Sequence, residues 1–163
     1  MGSGVRILLS AILYKINLWH CYKILRHRRS KMSINPILVI ISVWSGVIIF
    51  FSAVVAPTVF KSLEEKEAGV FLRAFFPKYY NFGILLGIAG LIYIFFTGDM
   101  DSLLLGLIAF MTILTISGKL MIPIINNARD TANEKSFKTY HLISVLMNVV
   151  TLIVGLILLG IYI

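Results

Sequence analysis

Four long apolar runs, nearly free of charge, constrain this chain more than any other feature. Residues 37–60 contain no Asp, Glu, Lys or Arg over 24 positions, and residues 79–98 none over 20. A third run starts at Ser102, stays uncharged for 17 residues, passes Lys119 and continues to Ile125. The fourth, 139–163, holds no acid or base other than His141. A hydrocarbon core about 30 Å thick takes ~20 helical residues, so each run is long enough to cross it. Backbone in lipid must bond to itself, and the alternation of barrel strands is missing from all four runs. The predicted fold class is therefore all-α, an integral membrane four-helix bundle with spans at about 36–60, 79–97, 102–125 and 137–162.

Composition narrows the functional classes. The chain is 59% hydrophobic and 13% charged, the latter roughly half the share usual in soluble domains. Such residues cannot clothe a water-soluble enzyme of 163 residues. The single cysteine, Cys21, excludes an internal disulfide framework. The net charge of +8 is distributed in two blocks. Seven basic residues precede Met32, and the other eight (Lys61, Lys66, Arg73, Lys78, Lys119, Arg129, Lys135 and Lys138) flank the apolar runs. That is where membrane proteins keep Lys and Arg to fix orientation, and no base-reading motif accompanies them. The expected partners are the lipid bilayer and other membrane-protein subunits, not nucleic acid.

The connections differ in kind. Residues 97–101 form a tight turn carrying Asp99 and Asp101. Segment 61–78 is longer. Ser62 and Glu65 have the spacing of a capping box, and Leu63, Val70, Phe71, Ala74 and Phe75 fall near one helical face. This predicts a short amphipathic interfacial helix between the first two spans, ended by Pro77. The third connection, 126–136, is polar. With four spans, connections 61–78 and 126–136 share one side. Residues 1–33 form a basic N-terminal arm and 34–163 the four-span membrane domain. With the arm set aside, all eight remaining cations lie on the side of those two connections. The positive-inside rule then predicts that side to be cytoplasmic, in the cell (inner) membrane. Counting the arm gives seven against eight and erases the bias. The arm is accordingly expected to be an upstream extension or a dispensable surface segment. A basic interfacial helix is the alternative, and a fifth span is disfavoured by Lys15 and Lys23.

Polar chemistry enters the bilayer mainly in the fourth span. His141, Ser144, Asn148, Thr151 and Gly155 follow one another at intervals of 3, 4, 3 and 4 and so share a face. Packing between helices accounts for Ser144, Thr151 and Gly155, whereas His141 and Asn148 are equally candidates for a functional polar face. Lys119 either snorkels to the interface or joins Arg129 and His141 in a cationic mouth for an anion or polar headgroup. A soft metal site from His141 with Met121 or Met147 is chemically conceivable, but methionine at helical spacing is more often packing. No metal site and no cofactor is called for. No nucleophile–base pair, carboxylate dyad or phosphate-cradling loop is present, which leans against an enzyme.

Several motifs occur in order: Ala56-Pro57-Thr58-Val59-Phe60, Ala68-Gly69, Phe76-Pro77-Lys78-Tyr79-Tyr80 and His141-x-x-Ser144-x-x-x-Asn148. With Pro123 and Arg129 they make the chain, from about Ile34 to the C-terminus, similar to the transmembrane-protein-205-like domain family. These are small four-helix membrane proteins classed as a domain of unknown function. More distantly the outline is similar to copper-resistance D-type membrane domains, but the further histidines expected of a metal or haem role are absent. The resemblance implies architecture more than activity. Two functions are expected: an accessory or structural subunit of a larger membrane complex, or a small solute- or metal-transport or binding protein using the His141/Asn148 face.

Overall fold

A computed structural model describes residues 35–98 and 101–163. The basic arm and Asp99 lie outside the described residues. Four helices make up the rest: α1 (Pro36–Ser62), α2 (Glu65–Thr97), α3 (Ser102–Asp130) and α4 (Glu134–Tyr162), all long and apolar enough to cross a membrane. Among the described residues there is no strand. Each helix packs against its chain neighbours, and α4 closes the ring against α1, while the diagonal pairs α1–α3 and α2–α4 stand apart. The four-span all-α bundle read from the sequence is thus the fold.

The outer surface is greasy. Leu85 and Ile113 are each 61% exposed and Phe96 is 82% exposed. Side chains of this kind, spread over all four helices, stay solvated only where the solvent is hydrocarbon. At 1.5 Å per residue the helices are ~40 to 50 Å long, so each overshoots a ~30 Å core.

The interior packs on a helical period. Ile37, Ile41, Trp44 and Ile48 line the inner face of α1, and Gly83, Gly87, Gly90 and Ile94 that of α2. Together with Leu104, Ile108, Met111 and Leu158 the large members form one buried cluster. All of it lies in the half of the bundle nearest Pro36, Thr97 and Tyr162. Trp44 is 2% exposed and lies over two glycines of α2. A Cβ on Gly83 would stand 3.2 Å from the Trp44 indole nitrogen, and one on Gly87 would stand 2.9 Å from its ring.

Two expectations for segment 61–78 are corrected. The amphipathic stretch is not a separate helix ended by Pro77; α2 runs unbroken from Glu65 through Pro77 to Thr97. Pro77 removes only the N–H that would bond the carbonyl of Arg73. Aromatic contacts on both sides of it, from Phe75, Phe76, Tyr79 and Tyr80, hold the helix in line. Nor does Ser62 make a capping box. It ends α1, and Glu64 occupies the N-cap of α2 without a side-chain bond. The inward residues here are Ala68 and Gly69, while Val70 is 67% exposed.

Pro57 shapes α1. The ladder widens to a π turn over Phe51–Val55, where the N–H of Ala56 reaches back to the carbonyl of Phe51. A wide turn one residue before a proline absorbs the ring's clash with the preceding turn. The connections are tight. Gly98 ends α2 at φ 68°, a left-handed conformation that suits glycine. Asp101 caps α3 by accepting from the N–H of Leu103 at 3.0 Å. The connection read as 126–136 contracts to three residues, because α3 continues to Asp130 and α4 starts at Glu134. Asn133 donates to the carbonyl of Ala128 and Ala132 to that of Arg129, a Schellman closure with Ala132 at φ 50°.

Candidate functional site

The half of the bundle bearing the 62–65 and 130–134 turns is built differently. Phe51, carried on the π turn, sits 5.2 Å from the rings of both Phe75 and Tyr79 and 5.4 Å from Phe76. Tyr79 meets Tyr80 edge-on at 5.3 Å. Phe51 and the Phe-Phe-Pro-Lys-Tyr-Tyr motif therefore form one aromatic cluster between α1 and α2.

The two tyrosines carry that cluster across the bundle to α4. The hydroxyl of Tyr79 donates to Oδ1 of Asn148 at 3.0 Å, and Nδ2 of Asn148 donates to the hydroxyl of Tyr80 at 2.9 Å. The same Nδ2 donates to the carbonyl of Ser144 at 3.0 Å, and Tyr80 also faces the Ser144 hydroxyl. These bonds span the diagonal between α2 and α4. Gly118 of α3 makes room for them, since a Cβ there would stand 2.6 Å from the Tyr80 ring.

Above this network lies a cavity of about 380 Å³ lined by α2, α3 and α4 and by Phe60 of α1. Leu72, Phe76, Ile122 and Ile125 supply an apolar wall, Tyr80 and Ser144 lie at its inner end, and Glu65, Arg73, Asn126, Arg129 and His141 bring polar groups. Two ion pairs tie α2 to α3. Arg73 engages both carboxylate oxygens of Asp130, and Arg129 Nη2 donates to Glu65 at 3.0 Å. The Arg129 guanidinium lies 5.7 Å over the Phe137 ring and rests against Gly69, where a Cβ would be 3.4 Å away. His141 stacks on Phe137 at 5.8 Å.

The candidate polar face divides on inspection. Ser144 and Thr151 are buried, and their hydroxyls bond carbonyls of their own helix, His141 and Met147, at 2.8 Å each. Asn148 is committed to the tyrosines. His141 is exposed at the cavity. Of the candidate cationic mouth, Arg129 and His141 line the cavity together; Lys119 is exposed and does not line it, and Arg73 stands there instead. Among the described residues no group of three or more His, Cys, Asp or Glu converges on a metal-sized site. The sequence reading missed the Phe51 cluster and both ion pairs. Pro57 was the available signal for the first; unlike charges near the helix ends were the signal for the second.

Residues 39–134 match the family described as a domain of unknown function, DUF4149. The chain belongs to this family. It is also 35% identical over 121 residues to an uncharacterized protein of Aquifex aeolicus (strain VF5), an alignment covering 73% of this chain and 88% of that protein. No solved structure matches it. The matched stretch takes in the π turn, the tyrosine pair and both arginines of the cavity. It stops at Glu134, so His141, Ser144 and Asn148 join the site from α4 beyond it.

Proposed function

We propose that the protein is a membrane-embedded binding protein whose cavity takes a small amphipathic molecule at the level of the lipid headgroups. One observation carries this reading: a bundle closed by interdigitated side chains at one end holds about 380 Å³ of open space at the other. That volume lies in the range of ligand pockets, ~300 to 1,000 Å³, and its wall is apolar with a few converging polar groups. The next void inward, beside Trp44, Gly83 and Asn148, measures about 10 Å³, which supports binding over an open passage. Native mass spectrometry of the purified protein tests it. A small-molecule adduct is expected, and Ile122→Trp, which fills the cavity, is expected to remove the adduct while leaving helix content unchanged. Retention of the adduct in that variant sinks the proposal.

The orientation belongs to the same reading. With residues 1–33 set aside, eight Lys and Arg flank the spans on the side of the cavity, which supports a cytoplasmic position for 61–78 and 126–136 in the cell's inner membrane. Kinship with transmembrane-protein-205-like domains is also part of this reading, supported by the order of the Ala56-Pro57, Ala68-Gly69, Phe76-Pro77-Lys78-Tyr79-Tyr80 and His141-x-x-Ser144-x-x-x-Asn148 motifs. A second reading, an accessory subunit of a larger complex, is favoured by Gly46 and Gly106. Both are exposed, and a Cβ on either would meet nothing within 4 Å, leaving bare backbone to which a partner helix could come close. Co-purification in mild detergent separates the two readings: a stoichiometric protein partner supports the subunit, an isolated chain carrying its adduct supports the binding protein.

A further inference from the structure

Resting on the cavity reading above, we infer that the site selects an amphiphile with an anionic headgroup, which displaces Glu65 from Arg129. The two cavity arginines are held in different ways. Arg73 is committed, with two guanidinium nitrogens on the two oxygens of Asp130. Arg129 gives one nitrogen to one oxygen of Glu65 at 3.0 Å, and that glutamate side chain is 92% exposed. An exposed pair of this kind contributes little and exchanges readily. A guanidinium carries five N–H donors, so most of the Arg129 fork is left for another acceptor.

Arg129 is also positioned without help from Glu65. Phe137 lies beneath its plane, and Gly69 offers backbone where a side chain would crowd it. A fixed, forked cation at the rim of an apolar wall matches a phosphate or carboxylate head followed by a hydrocarbon chain. Size limits the rest. About 380 Å³ has room for roughly a dozen non-hydrogen atoms at a water's ~30 Å³ each. That accommodates a head and the first part of one chain, with the remainder running out along the greasy exterior.

The test uses the full chain in phosphatidylcholine nanodiscs, read by native mass spectrometry, with dodecyl phosphate, dodecylphosphocholine, dodecyl maltoside and inorganic phosphate as separate probes. Dodecyl phosphate is expected to bind once per chain, at least ten-fold tighter than the other two amphiphiles and undisturbed by inorganic phosphate. Equal binding of the phosphocholine or the maltoside overturns the headgroup inference and leaves the cavity reading standing. Displacement by inorganic phosphate makes the site one for a free oxyanion and overturns the amphiphile. No binding of any amphiphile overturns both readings. Arg129→Gln is expected to weaken dodecyl phosphate binding by about ten-fold or more. Glu65→Gln, which keeps Arg129 and frees it, is expected to tighten binding about two- to five-fold. Should Arg129→Gln fail to fold, Glu65→Gln decides alone, and unchanged or weaker binding in it overturns the proposal.

Discussion

The half of the bundle around Trp44 and the half around Arg129 use the same four helices and are filled by opposite means. Around Trp44, glycines on α2 face an indole and the side chains of α3, so the helices come close and the space between them vanishes. Around Arg129, ion pairs join α2 to α3 and the tyrosines bond Asn148 of α4, yet a cavity stays open among these helices. The contrast teaches that lipid as solvent fixes the outside of such a protein but not its inside. Small residues facing large ones close the bundle around Trp44, whereas Gly69 and Gly118 only make room for Arg129 and Tyr80 and the space beside them stays open.

The sharpest way to break that contrast is Gly87→Ala. Its Cβ would collide with Thr112 Oγ1 and stand 2.9 Å from the Trp44 ring, which should cost about 1 to 3 kcal/mol. Unfolding in mixed detergent measures it, and a loss below about 0.5 kcal/mol would mean that the closed half yields as easily as the open one. Next in size, Asn148→Ala removes two hydrogen bonds from α4 to the tyrosines of α2 and one within α4. Intramembrane bonds average ~0.6 kcal/mol, so a loss of about 1 to 2 kcal/mol is expected in the same assay. A neutral result would make the tyrosine contacts decorative.

Two smaller effects test the ends. Ala132→Gly relieves the left-handed φ of 50° at the turn beside the cavity and should stabilise by about 1 kcal/mol or less. Destabilisation there would contradict the turn geometry. At the other end, the Tyr162 hydroxyl and the N–H of Leu103 hold the Asp101 carboxyl below its usual range. A depressed folded pKa gives stability that is present above the ordinary carboxylate value, ~3.9, and lost as pH falls through the folded value. Tyr162→Phe should therefore be less stable than the parent near neutrality and converge with it in acid. Curves that stay parallel would remove the contact from the account.

The spans were legible because hydrocarbon demands about 20 apolar residues in a row, and 37–60 or 79–98 can be nothing else. The polar periodicity of α4 was legible for a similar reason, since a hydrogen-bonding residue among Leu, Ile and Val stands out. What lies between helices was not. Arg73 and Asp130 are 57 residues apart, and no local spacing announces that they meet. Pro77 reads as a helix end because its local cost is real, but ring contacts from α1 outweigh that cost. Pro57 lies inside the first apolar run, and nothing local shows that the turn before it widens at Phe51–Val55 and sets Phe51 against α2.

The hydrogen bonds from Tyr79 and Tyr80 to Asn148 join α2 and α4, whose backbones do not pack against each other. Four rods linked only along their edges make a frame that can shear from a square into a rhombus. A single cross-strut removes that freedom. Here the strut stands between the cavity and the Trp44 core, so shear that opens or narrows the cavity must strain it, while the rods nearer the termini keep their spacing.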